Sequence, residues 1–300
     1  MLKKFFAVLA LISVTTSSYA QSAKGPLQLK QSSPWNVDYA DDRCRLMRQF
    51  GEGDDKVFAI FDRYGPGERF RITIAGKPVK TAVENGEATI KFGPVEGEQK
   101  LAFYKGNLGE YPALVFQAQA RVAPPTPLEQ SAIDQRKADE WIELASVGPE
   151  RESAIRNLTI TKPLRRTIIM ETGPMRKPLE ALGLCIDNLM ASWGIDVEKH
   201  KLLTQPVKPL TSPGRWIVSS DYPVNMLSAG QPAIVEFRMS VGADGNPVSC
   251  HIQSTTRPKE FDKAVCGSLM KRARFAPALD VEGKPLASFY RNSVRFALPK

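Results

Sequence analysis

The chain has 300 residues, 42% of them hydrophobic, and a formal net charge of +9. That length fits two domains better than one, each with enough apolar residues for a real core. The basic excess suits acidic surfaces such as anionic lipid or cell-wall polymer; its scatter along the chain argues against nucleic acid as a partner, and most of these charges are read as solvated surface.

Met1-Leu2-Lys3-Lys4 opens the chain, followed by the apolar run Phe5 to Ile12 and small residues at Ser18 and Ala20. This order is that of a secretory signal peptide, with cleavage expected after Ala20. A membrane anchor needs about 20 apolar residues, and this run turns polar at Thr15. Loss of Lys3 and Lys4 takes the formal charge from +9 to +7. An uncleaved segment would anchor the chain instead, and only then is membrane contact expected. Residues 21–34 are polar without a period and are expected to form a flexible lead-in.

From Trp35 the pattern is that of strands. Cys44, Leu46, Arg48 and Phe50 alternate onto one side, Val57 to Phe61 is a short apolar run, and Phe70-Arg-Ile72-Thr-Ile74 alternates up to Gly76. Ala88 to Phe92, Leu101 to Tyr104 and Ala113 to Val122 are further candidates, separated by Gly, Pro and Asn clusters. Leu128 to Val147 reads as a helix carrying Ile133, Trp141, Ile142 and Leu144, and Leu158 to Met170 returns to strand character. From Pro178 to Trp193, Leu179, Leu182, Ile186, Leu189 and Trp193 form one continuous helical stripe bordered by Cys185. Three prolines between Pro206 and Pro213 then keep the chain extended. The expected organisation is a mostly antiparallel β domain with one or two helices over 35–200, a proline-containing linker over 201–214 and a second domain over 215–300.

The second domain has the clearest signal. Val235, Phe237, Met239 and Val241 alternate with Glu236, Arg238 and Ser240 along a half-buried strand. Asp244-Gly245 supplies a hairpin turn, and Val248, Cys250 and Ile252 are expected on the inner face of the next strand. A helix over about Pro258 to Arg274 follows, with Phe261, Val265 and Leu269 in line. The closing strand, Ser288 to Leu298, turns Tyr290, Val294, Phe296 and Leu298 inward and Phe289, Arg291, Ser293 and Arg295 outward. The whole chain is α+β, ending in a β-β-α-β unit.

Four cysteines in an exported protein point to disulfides, with three pairings open to them. Their division by region favours Cys44 with Cys185 and Cys250 with Cys266. The first bridge would close a long loop and contribute about 4–5 kcal/mol in the chain-entropy model. A metal site is not expected: no Cys-x-x-Cys occurs, and His200 and His251 are the only histidines. No cofactor is expected.

Asp221-Tyr222-Pro223, the strand to Val241, Asp244-Gly245-Asn246-Pro247-Val248, the helix and Arg274-Phe275-Ala276-Pro277-Ala278 together resemble the C-terminal domain of TonB-type energy transducers, over about residues 215 to 299. Gln231-Pro232-Ala233 departs from the glycine that usually opens the first strand, and a folded domain stands where the transducers carry a proline-rich spacer. The resemblance implies a periplasmic location and a partner among envelope proteins, such as an outer-membrane TonB-dependent receptor. It implies capture at the edge of the last strand, by β-augmentation, with Tyr222, Pro223, Phe289, Arg291, Ser293 and Arg295 as partner-binding residues, and it allows a homodimer through the same domain. With the anchor cleaved, it implies binding without energy transduction; an uncleaved anchor at the inner membrane would restore the transducer.

An enzyme is not expected. His251 and Cys250 are adjacent on a strand and point to opposite faces, His200 reads as a solvated surface residue, and Asp41-Asp42 and Asp54-Asp55 read as turn residues. The phosphate loop, nucleophile elbow and zinc-helix motifs are missing from the sequence. Trp35, Trp141, Trp193 and Trp216 read as core or domain-junction packing. An exported enzyme or inhibitor would have to carry its site in the 35–200 domain.

Overall fold

The computed structural model describes residues 25–116, 120–135, 144–256 and 258–298. The signal segment and Trp141 and Ile142 lie outside the described residues. The first domain contains β1 (Leu27–Leu29), β2 (Asn36–Ala40), β3 (Arg43–Phe50), β4 (Val57–Arg63), β5 (Arg71–Gly76), β6 (Asn85–Phe92), β7 (Glu98–Leu108) and β8 (Tyr111–Phe116). It continues with α1 (Pro127–Gln135), α2 (Pro149–Ala154), β9 (Leu158–Ile160), β10 (Ile168–Met170), α3 (Arg176–Ser192) and α4 (Val197–Lys201).

Its strands form one sheet in the order β1-β10-β9-β6-β7-β8-β5-β4-β3-β2, curled as a half-barrel. Only the β1–β10 pair among the described residues is parallel. The alternating apolar positions of β3 to β6 turn inward onto the stripe of α3, where Leu179, Leu182, Cys185, Ile186 and Leu189 are buried against Leu46, Phe50 and Phe61. Each such side chain taken from water contributes about 1.5–3 kcal/mol. Cys44 of β3 is bonded to Cys185 of α3, as the division by region suggested.

Two expectations fail here. The lead-in is not free: Leu27 and Leu29 are buried and pair with Ile168 and Met170, because β10 offers an unpaired edge beside an apolar hollow. Of the helix expected over Leu128 to Val147, α1 is described as far as Gln135, and residues 144–148 are irregular. There the Ala145 and Val147 amides donate to Glu129 and Glu68 carboxylates, an alternative to helical bonding.

The second domain contains β11 (Lys208–Pro209), α5 (Val224–Ser228), β12 (Ala233–Val241), β13 (Pro247–Thr255), α6 (Glu260–Arg272), β14 (Phe275–Ala276), β15 (Ala278–Leu279), β16 (Pro285–Leu286) and β17 (Ser288–Phe296). Its sheet has the order β13-β12-β17, antiparallel throughout, with α6 covering one face. Val235, Phe237 and Met239 meet Phe261, Val265 and Leu269 in a second core. Cys250 of β13 is bonded to Cys266 of α6. At the hairpin, Gly245 has φ +79, and a Cβ there would stand 2.1 Å from the Phe275 carbonyl oxygen, so only glycine fits.

The proline-rich stretch is extended but docked rather than free. Leu210 N–H donates to the Arg274 carbonyl, Gln205 exchanges backbone bonds with Leu279, and Val207 is buried. Val248 corrects another expectation: it is 67% exposed. The β12–β13 register passes from Ser240↔Ser249 to Val241↔Pro247, leaving Val248 as the extra residue of a bulge. Leu298 lies beyond the end of β17 and is 39% exposed rather than inward.

The face of the second sheet away from α6 rests on the first domain. Arg71 of β5 bonds Glu236 of β12 at 2.6 Å. Gln253 donates to the carbonyls of Tyr64 and Asp42, and His251 Nε2 lies 2.6 Å from Asp42 Oδ1. Asp41 and Asp42 do sit in a turn, but Asp42 also joins the domains. Among the described residues, no helix is long and apolar enough to cross a membrane.

Candidate functional site

β17 is one of the two edge strands of the second sheet, β13 being the other, with β12 on one side and no strand on the other among the described residues. An edge exposes backbone donors and acceptors in a row, which is a template for another chain. The Ser293 amide does not serve β12; it donates to the Asn292 side-chain Oδ1 at 2.9 Å. Asn292 Nδ2 in turn donates to the Tyr290 hydroxyl at 2.8 Å. One edge donor is therefore occupied only by a neighbouring side chain, and the exchange of that bond for a partner's carbonyl requires no break in the sheet. Burial pushes the Tyr290 phenol up to about 12.

The expected partner-binding side chains divide into two groups. Phe289 is buried within the first domain's core, edge-on to Trp193 and stacked on His200 at 5.1 Å. Arg291 donates to the Pro66 carbonyl at 2.7 Å, and a Cβ on Gly65 would stand 2.6 Å from its Nε, so the glycine makes room for it. Arg295 donates to the Tyr104 hydroxyl and lies over that ring. These three point outward from α6, as their alternation required, but onto the first domain instead of into solvent. Tyr222 packs edge-on against Phe261 and Phe296, and its hydroxyl donates to the Gln231 carbonyl at 2.7 Å. Pro223 opens α5 behind it. Ser293, with its edge amide, is the member of the set placed for backbone pairing.

His200 corrects the solvated reading: it is half-buried on Phe289, and burial lowers its pKa. Asn292 escaped the sequence reading altogether, because a side chain capping its own strand edge leaves no periodic mark. Exposed Val224, Leu227 and Leu298 add apolar surface on α5 and just beyond β17. In the first domain, an open groove of about 520 Å³ is lined by Gln28, Gln31, Arg156, Asn157, Ile169, Glu171 and Gly173. That lining contains no histidine, cysteine or serine to act as a nucleophile–base pair.

The order β-β-α-β and the free last edge are now in place, and residues 218–298 match the family model of the Gram-negative bacterial TonB protein C-terminal. The second domain is a TonB C-terminal domain. A domain of this family points to the cell envelope. No curated protein matches the chain. The first domain stands outside the matched residues, so it is described by its fold alone. Its contact with the TonB C-terminal domain covers Phe289, Arg291 and Arg295 and leaves Val224, Leu227 and Leu298 exposed.

Proposed function

We propose that this protein is an exported, periplasmic, non-enzymatic envelope protein that captures a protein partner by adding the partner's strand to the edge of β17. The observation carrying this reading is the open β17 edge with the Ser293 amide held only by Asn292. Main-chain pairing would supply affinity, and the exposed residues Val224, Leu227 and Leu298 would supply selectivity. An outer-membrane TonB-dependent receptor is the partner class that the family match favours. Four cysteines joined in two bridges support the oxidising compartment. The reading is one of grip without transduction, because a folded domain, not a spacer, is fastened to the gripping domain.

A photo-crosslinker at Leu298 in the exported full chain, with and without Ser293→Pro, tests the reading. Proline removes the edge amide while sparing the bonds to β12. Loss of the crosslink in the folded variant supports edge capture, and an undiminished crosslink overturns it. N-terminal sequencing of the same material tests export: a start at Gln21 supports it, and an intact Met1 restores the anchored transducer.

A further inference from the structure

We propose that the pocket at the domain junction between Trp193 and Arg238 binds a small apolar carboxylic acid. The pocket has a volume of about 250 Å³. Trp193 and Ile195 line it from the first domain, and Arg238, Val248, Ser288 and Phe289 from the second. The Arg238 guanidinium lies 4.4 Å over the Trp193 ring, and Phe289 meets that ring edge-on at 5.2 Å.

Three of its lining residues carry buried polar atoms without a partner: Arg238 Nε, Trp193 Nε1 and Ser288 Oγ. They are three of the seven such side-chain atoms among the described residues. An unmade bond at a buried donor is costly, and native structures keep few of them. All three lie beneath the pocket surface, out of reach of water, so they mark a junction that is incompletely paired around Arg238. Asp42, the acid whose charge acts on Arg238, is engaged with His251 at 2.6 Å. Arg238 makes no direct ion pair among the described residues, and the Asp42 charge acts on it from a distance.

The chemistry of the walls selects the ligand. The Arg238 guanidinium only donates, and it carries a fixed charge. The ligand must therefore bring acceptors, and the single fixed charge calls for a monoanion. A carboxylate matches the planar fork of arginine even when the guanidinium face is stacked on an aromatic ring. A phosphate dianion would leave a charge unmatched against apolar walls, which is costly. Ile195, Val241, Val248 and Phe289 accommodate an apolar tail. The volume equals that of about eight waters at ~30 Å³ each, which suits a short-chain or single-ring acid. Because the walls come from both domains, an occupant stabilises their docked arrangement by mass action.

The test is calorimetric titration of the full exported chain with benzoate and with hexanoate, and with uncharged benzamide as the comparison. Saturable binding of both acids is expected, at least ten-fold weaker for benzamide, with a shift of the Trp193 indole N–H resonance. Arg238→Gln and Val248→Trp should each weaken binding at least ten-fold; Val248 is exposed, so the second variant fills the pocket mouth without entering a core. Absence of saturable heat up to about 10 mM acid, equal affinity for benzamide, or unchanged affinity in the folded Val248→Trp protein would each overturn the proposal. Edge capture by β17 can fail while this site stands, and the reverse, because the two are read by different ligands.

Discussion

Arg71 Nη2 donates to Glu236 Oε1 at 2.6 Å across the domain junction, with both side chains about 95% buried. Arg71 also donates to the Tyr64 hydroxyl, whose pKa burial pushes up to about 12. Burial likewise pushes the Glu236 carboxyl up, and Arg71 opposes that push. The pair fastens the TonB C-terminal domain to the first domain.

Glu236→Gln should therefore destabilise the protein by about 3–5 kcal/mol, because it leaves a buried guanidinium uncompensated. Arg71→Met with Glu236→Leu should recover most of that loss. Urea unfolding of the three proteins measures both effects, and a double variant no better than the single one contradicts this account.

Asn292→Ala should strengthen partner capture about two- to ten-fold, the equivalent of one released hydrogen bond at 0.5–1.5 kcal/mol. The same freed edge should raise concentration-dependent self-association. Sedimentation velocity at several concentrations checks the second effect directly.

Removal of the two disulfides should have unequal effects. In the chain-entropy model, the bridge spanning 141 residues contributes about 5 kcal/mol and the one spanning 16 about 3 kcal/mol. Paired Cys→Ala variants, compared by denaturant midpoint, should show Cys44/Cys185 as the more damaging loss.

Acid should loosen the start of the TonB C-terminal domain. The Arg272 guanidinium, 2.5 Å away, holds the Asp221 carboxyl at about 2, helped by the Val218 amide. A carboxylate with a depressed folded-state pKa adds stability that is present above its unfolded value, near 4, and is lost as pH falls towards 2. Asp221→Asn should be less stable at pH 6 and should lose less stability than the parent between pH 4 and 2, as followed by thermal unfolding.

The sequence alone determined the local elements. The 2-residue alternation in β3, β12 and β17, the 3.6-residue stripe of α3 and the Asp244-Gly245 turn are short-range properties, readable because each buried face repeats with the period of its backbone. The ordered motifs of the last 80 or so residues were sufficient for the TonB resemblance, and the grouping of the cysteines was sufficient to favour the correct bridges. Alternation also placed Phe289, Arg291 and Arg295 outward correctly.

Only the tertiary structure decided what outward meant. Those three side chains meet Trp193, Pro66 and Tyr104, partners more than 90 residues away in sequence. The same holds for Arg71 and Glu236, for Asp42 and His251, and for the unpartnered donors gathered around Trp193 and Arg238. A period records which way a side chain points, whereas a domain junction depends on which distant surface is brought against it. That is why the edge of β17 was legible as a strand, and its availability was not.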